Sequence, residues 1–273
     1  MSIKLVALDL DGTLLNEKKQ VSLRTRQILE ECEKKNIQIV PATGRALHAV
    51  PREILTLPGV RYGVFTNGAS VWDIKEGKSI AEGCMDWRTA ADTAKLLRAY
   101  PLIYDMYIGG QGVCERRFMD ELEGFGLSEE HCRFIRSTRQ PVEDMTAYLA
   151  GKQCAVQKMN LTFRDREVKA EVRRRLEGLP GVLVTSSLPD NLEVNAAGIT
   201  KGSGLACLRR HLGLRREETM ACGDGENDLP MLEAAGIGAA MANGASFVKE
   251  QADYITLSNE EDGVAAAIER WAL

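Results

Sequence analysis

Both outer thirds of the chain alternate short apolar runs with helical segments, and this alternation constrains the fold more than any other feature. Residues 3–8, apolar at every position but Lys4, read as a strand of the kind buried on both faces of a sheet. Ser22 is placed to cap a helix carrying Ile28, Leu29 and Cys32 on one face. Residues 37–40 and 62–66 read as further strands, with a helix expected over 46–57 despite Pro51. Asn67-Gly68-Ala69 then marks a turn leading into a hairpin through Gly77. Toward the C-terminus, strands over 191–195, 219–222 and 238–241 alternate with helices over 201–212, 228–235 and 261–271. Strands and helices in such an order imply a parallel sheet covered on both faces.

The middle third has a different texture. It offers helices over 86–99 and 164–178 and strands over 102–108, 154–163 and 181–187, around a poorly patterned polar stretch near 109–140. These elements predict a separate α+β module inserted into the parallel-sheet domain. At 273 residues the chain is longer than one compact core usually takes. The expected division is 1–82 with 189–273 for the parallel-sheet domain and 83–188 for the insert.

Charge and composition exclude several classes of function. A formal net charge of -4 argues against a general nucleic-acid binder, and the Arg173-Arg174-Arg175 run reads as a solvated helix face. No apolar stretch reaches the roughly 18 residues of a membrane-spanning helix, and Asp9 and Asp11 interrupt the N-terminal run at once. The seven cysteines are scattered without a C-x-x-C pair, which suits free thiols in a reducing cytoplasm. A soluble cytoplasmic protein with a small-molecule partner, no nucleic acid and no membrane is the expectation. Its oligomeric state is not legible. His48, His131 and His211 lie outside any motif.

Chemistry concentrates where the strands end, the edge of an open α/β sheet at which ligands bind. Asp9-Leu10-Asp11-Gly12-Thr13 closes the first strand and sets two acids before a glycine that frees the chain to turn. A plain surface Asp-Gly turn would read the same way. Gly223-Asp224-Gly225-Glu226-Asn227-Asp228 follows another apolar strand, with Asp224, Asn227 and Asp228 at i, i+3 and i+4. An acidic turn capping a helix is the alternative there. Taken together, the two segments gather four carboxylates, Asp9, Asp11, Asp224 and Asp228, on one sheet edge. Such crowding is costly unless a cation neutralises it, and hard oxygen donors suit Mg²⁺. Thr43 with the N–H groups around Gly44 could bind phosphate oxygens. Lys201 opens a helix, where a cation opposes the helix dipole unless an anion faces it.

These residues carry a resemblance. The sequence resembles the haloacid dehalogenase-like hydrolases, and within them the Cof-type sugar-phosphate phosphatases with a large inserted cap. The four family motifs stand in order at 9–13, Thr43, Lys201 and 223–228, with Asn67-Gly68-Ala69, Met231, Asp253 and Glu261-Asp262-Gly263-Val264 as flanking matches. Asn195-Ala196-Ala197 departs from the pattern, since relatives often carry a proline there. The resemblance implies a Rossmann-like doubly wound parallel sheet core with an inserted α+β cap. It also implies a Mg²⁺-dependent phosphatase of small phosphorylated metabolites that works through an aspartyl-phosphate. Asp9 would be the nucleophile and Asp11 the acid and base. The Asp9 and Asp224 carboxylates and the Asp11 carbonyl would hold Mg²⁺, with Asp228 in support. Thr43, Gly44, Lys201, Asn227 and the Leu10 N–H would hold the phosphate. A phosphomutase of the same superfamily and a non-catalytic phosphometabolite-binding protein are the alternatives.

Overall fold

A computed structural model describes residues 2–273; Met1 and the side chain of His131 lie outside the described residues. The chain divides into two compact units, one of Met1–Glu82 with Ile199–Leu273 and one of Gly83–Gly198.

The first unit opens with β1 (Leu5–Leu8), α1 (Leu23–Lys34), β2 (Gln38–Pro41), α2 (Arg52–Leu55), β3 (Tyr62–Phe65), β4 (Ser70–Asp73) and β5 (Lys78–Glu82). The second unit holds α3 (Trp87–Leu97), β6 (Leu102–Ile108), β7 (Gln111–Glu115), α4 (Arg116–Glu121), α5 (Glu129–Thr138), β8 (Arg139–Val142), α6 (Met145–Lys152), β9 (Lys158–Phe163), α7 (Arg166–Glu177), β10 (Val182–Thr185) and β11 (Asn191–Ala196). The chain then returns to the first unit through α8 (Lys201–His211), β12 (Thr219–Gly223), α9 (Leu229–Ala234), β13 (Ile237–Ala240), α10 (Ser246–Gln251), β14 (Tyr254–Ile255) and α11 (Gly263–Trp271).

In the first unit five strands run in the order β14-β13-β12-β1-β2, every pair parallel. The period-two alternation of β1 divides its side chains between two helical layers. Val6 and Leu8 pack with Ile28 and Leu29 of α1 and Ala265 and Ile268 of α11. Leu5 and Ala7 pack with Leu205 and Leu208 of α8 and Met231 and Leu232 of α9. Both faces being covered explains the unbroken apolar run of the first strand. The fold is the doubly wound α/β architecture that the alternation predicts. β3, β4 and β5 form a separate antiparallel sheet of three strands.

The helix expected over 46–57 is broken. A single 3-10 turn at Leu47–Ala49 precedes α2, and Val50, directly before Pro51, is extended with ψ 128. Proline disfavours a helical residue before it and cannot donate into a helix, so the two turns stay separate.

The second unit is a six-stranded sheet, β10-β11-β9-β6-β7-β8, antiparallel except between β7 and β8. One face carries Met106, Met159, Leu161, Leu192 and Val194 against Ala94 of α3, Leu149 of α6 and Val172 of α7. The alternate positions carry charge, including the Lys158–Glu193 pair at 2.6 Å and the Arg139–Asp105 pair. The sequence groups 191–195 with the parallel-sheet strands, but β11 pairs antiparallel with β9 and β10, and the second unit extends to Gly198. Strand propensity names no partner. What decides the sheet is the cross-strand pairing of Glu193 with Asn160 and of Val194 with Met159. The polar stretch near 109–140 contains β7, α4 and α5. No helix among the described residues is long and apolar enough to cross a membrane, and all seven cysteines are unbridged.

Candidate active site

Parallel pairing brings distant segments of the first unit to one sheet edge. The β1–β12 ladder continues one step past β1, where the Asp9 N–H donates to Cys222 O at 3.1 Å. Asp9 therefore stands beside Asp224, which directly follows β12. Gly12 lets the two loops close together. Its φ is +82, and a Cβ there would lie 2.5 Å from Asp224 Oδ2. Thr13 Oγ1 donates to Asp224 Oδ1 at 2.8 Å and fixes that carboxylate. Leu10, which separates Asp9 from Asp11 in the sequence, is fully buried.

Lys201 enters this group from the first position of α8. Thr200 caps the helix reciprocally with Ser203, each donating its N–H to the other's hydroxyl at 2.9 Å. Gly68 (φ +95) packs so closely beneath that a Cβ would lie 1.9 Å from Thr200 O. The Lys201 side chain is 1% exposed, and its ammonium donates to Asp9 Oδ1 and to Asp228 Oδ1, each at 2.6 Å. Asp228 Oδ2 accepts the N–H groups of Asp224 at 3.0 Å and Gly225 at 2.9 Å. Both Asp228 oxygens are thus engaged by protein donors. One oxygen each from Asp9, Asp224 and Asp228 fall within 4.8 Å of one another, a spacing that could hold a metal ion.

Electrostatics follow from burial and crowding. Burial, then the charges of Asp228 and Asp224, push the Asp9 carboxyl well above its usual range against the pull of Lys201. Burial and then Asp228 push Asp224 up to about 6. Burial works against the Lys201 ammonium, but Asp228 and Asp9 outweigh it and hold the proton more firmly than usual.

Thr43 sits just past β2 and is buried; its N–H donates to Val64 O at 2.9 Å, and its hydroxyl accepts the Arg45 N–H at 3.2 Å across Gly44. Asn67, at φ 57, donates its N–H to Thr43 O at 3.1 Å, and its side-chain oxygen accepts Asn227 Nδ2 at 3.2 Å. Asp11 stands apart from the carboxylate cluster. Burial would raise it, but Arg45 and Lys19 outweigh that and hold its carboxyl below the ordinary range.

A model of the haloacid dehalogenase-like hydrolases matches residues 6–268. The chain belongs to that family. Among its haloacid dehalogenase-like relatives is a 5-amino-6-(5-phospho-D-ribitylamino)uracil phosphatase of Bacillus subtilis (strain 168). That protein is 32% identical over 281 residues, covering 100% of this chain and 97% of its own. A protein of Bacteroides thetaiotaomicron, described among the phosphatases of the same superfamily, has a similar structure. Its TM-score is 0.81 at 29% identity, over 99% of this chain and 95% of that one. A HAD subclass IIB sugar phosphatase gives a TM-score of 0.82 at 25% identity, over 98% of each chain.

Of the residues singled out in the sequence, Asp9, Lys201, Asp224 and Asp228 meet in one hydrogen-bonded group of this haloacid dehalogenase-like site, and Thr43 and Asn227 are joined through Asn67. The sequence assigns no role to two partners: Thr13, inside the 9–13 segment, which holds Asp224, and Lys19, outside any motif, which reaches Asp11. Arg45, equally able to meet a phosphate or an acid on sequence grounds, pairs with Asp11.

Proposed function

We propose that this enzyme, a phosphoric monoester hydrolase, passes the phosphoryl group of small phosphate esters to Asp9 and then to water in a Mg²⁺-dependent reaction. The observation that carries the reading is the bridging of Asp9 and Asp228 by the buried Lys201 ammonium, with Asp224 alongside. A structural cluster would not need a nucleophilic carboxylate, a cation and a second acid at the open end of a parallel sheet.

The donor set fits Mg²⁺. Asp9 and Asp224 offer hard carboxylate oxygens, and the crowding of like charge that raises both is relieved by a divalent cation. Asp9, Asp224 and the Asp11 carbonyl would hold the ion. Asp228, with both oxygens engaged, would support Lys201 and the 224–225 backbone. Bound there, Mg²⁺ would draw charge from the phosphoryl oxygens.

An Asp9 oxygen attacks phosphorus and the bond to the ester oxygen breaks, leaving an acyl phosphate. Asp11, once released from Arg45 and Lys19 and protonated, gives that proton to the departing oxygen. It then takes a proton from the water that attacks phosphorus and frees Asp9. Lys201, Thr43, Asn227 and the N–H groups of Leu10 and Gly44 hold the phosphate oxygens. Several effects must act together, because unassisted monoester hydrolysis is slow enough to need about 10²¹-fold acceleration. Relatives named for a phosphoribityl compound and for sugar phosphates support a phosphorylated polyol or sugar as substrate.

The test is phosphate release from a panel of phosphorylated sugars and polyols, with Mg²⁺ or with chelator. Release that needs Mg²⁺ and favours such esters is expected. Release unaffected by chelation, or no release from any ester, contradicts the reading.

A further inference from the structure

The chain passes from β3 to β4 through a turn more costly than a hairpin requires. Thr66, Asn67 and Gly68 follow one another at φ 54, 57 and 95, and all three are buried. A left-handed backbone is unfavourable for residues other than glycine, and most of all for a β-branched threonine. The turn lies between the paired residues Phe65 and Ser70. A short loop of glycine and asparagine would close that hairpin without a left-handed threonine.

What the turn gains is contact with three other loops of the same unit. The Thr66 N–H donates to Arg45 O at 2.9 Å and the Asn67 N–H to Thr43 O at 3.1 Å, which holds both ends of the Thr43-Gly44-Arg45 segment. Asn67 Oδ1 accepts Asn227 Nδ2 at 3.2 Å, from 160 residues away in sequence. Gly68 packs against Thr200 O, the carbonyl next to Lys201, and a Cβ on Gly204 of α8 would lie 3.1 Å from Gly68 Cα. Thr43, Gly44, Asn227 and Lys201 are the groups that hold phosphate on the reading proposed above. Asn227 is the one among them whose sign depends on its rotation. A side-chain amide carries a donor nitrogen on one edge and an acceptor oxygen on the other, so a half-turn changes attraction for an anion into repulsion. The carbonyl of Asn67 fixes that rotation, and a donor fixed before the anion arrives needs no reorganisation to bind it.

We propose that Asn67 is a positioning residue for phosphate, holding the Asn227 amide so that its nitrogen rather than its oxygen meets the anion. The inference rests on the phosphatase reading, in which Asn227 holds a phosphate oxygen.

Asn67→Gly removes the side-chain acceptor, suits φ 57 and keeps the backbone N–H to Thr43. Its Tm should stay within about 4 °C of that of the unaltered protein. Inorganic phosphate, used with Mg²⁺ as an inhibitor of p-nitrophenyl phosphate hydrolysis, should bind about 10-fold more weakly. The value of kcat/KM should fall by a similar factor on alkyl phosphates and on p-nitrophenyl phosphate, since the loss concerns the phosphate and not the leaving group. Mg²⁺ affinity without phosphate, read by titration calorimetry, should change by less than about two-fold. In an Asn227→Ala background, Asn67→Gly should weaken phosphate binding no further. Unchanged phosphate inhibition, a loss that adds in full to that of Asn227→Ala, or a larger fall in Tm with weakened Mg²⁺ binding would overturn the proposal. If the unaltered protein hydrolyses no phosphate ester, the phosphatase reading fails and this inference with it. If it does and Asn67→Gly is unimpaired, the inference alone fails.

Discussion

The Lys201 ammonium lies 2.6 Å from Asp9 Oδ1 and 2.6 Å from Asp228 Oδ1, so one buried cation joins carboxylates from opposite ends of the sequence. Removing it strands both carboxylates away from water. Lys201→Met should cost about 3–5 kcal/mol in urea unfolding without Mg²⁺, the usual penalty for breaking a buried pair. The loss should shrink at mildly acidic pH, because a stranded carboxyl can then take up a proton. A loss below about 1 kcal/mol would mean that the pair contributes no more than a surface one.

Asp11 lies outside the carboxylate cluster and faces Arg45 and Lys19. In its proposed role as the acid for the departing oxygen it would matter most when that oxygen is a poor leaving group. Asp11→Asn should lower kcat/KM about 10²-fold or more on alkyl phosphates and distinctly less on p-nitrophenyl phosphate. Equal losses would remove the acid role.

Asp224 is pushed up to about 6 from an ordinary value of 3.8 by burial and then by Asp228. Between those values the folded protein binds more protons than the unfolded chain. The favourable contribution of this group is present below 3.8 and is lost as pH rises through about 6 in the metal-free protein. On the proposed reading, proton and Mg²⁺ would compete for the same oxygens. The rise in Tm on adding Mg²⁺ should therefore be largest above about pH 6 and fade below it, with affinity dropping up to about tenfold per pH unit. A Tm shift that does not vary with pH would separate the metal from Asp224.

Gly68 holds the start of α8 against the turn after β3. At φ +95, with a Cβ placed 1.9 Å from Thr200 O, Gly68→Ala must displace the cap of Lys201. A loss of about 2 kcal/mol is expected, with activity falling more steeply than stability because Lys201 moves. Gly77→Ala is the control, since its φ of +62 faces open space and only the backbone term applies. Equal effects at the two positions would show that the close approach to Thr200 is unimportant.

Much of the site is legible in the sequence because backbone topology assembles it. Asp9 and Asp224 must meet once β1 and β12 are parallel neighbours, and apolar strands followed by Asp and Gly announce both. Lys201 is legible as an anomaly, a cation where the helix dipole disfavours one. Other features depend on side chains that only the folded chain brings together. Lys19 follows no motif, and its reach to Asp11 comes from a left-handed turn that lysine seldom adopts. The strand around Glu193 reads equally well in either sheet, and its partners Met159 and Asn160 lie more than one element away. Pro51 marks the interruption of the 46–57 helix, although its strength emerges only when Val50 is seen extended.

The central claim is that Asp9 carries the phosphoryl group during turnover. The most direct measurement is to mix the enzyme with Mg²⁺ and a radiolabelled phosphate ester, quench in acid within the first turnover, and map the label. Label on the Asp9 peptide that appears before free phosphate and decays into it, and is missing in Asp9→Asn, is the predicted result. Free phosphate formed with no label on the protein at any time, or undiminished turnover by Asp9→Asn, would contradict it.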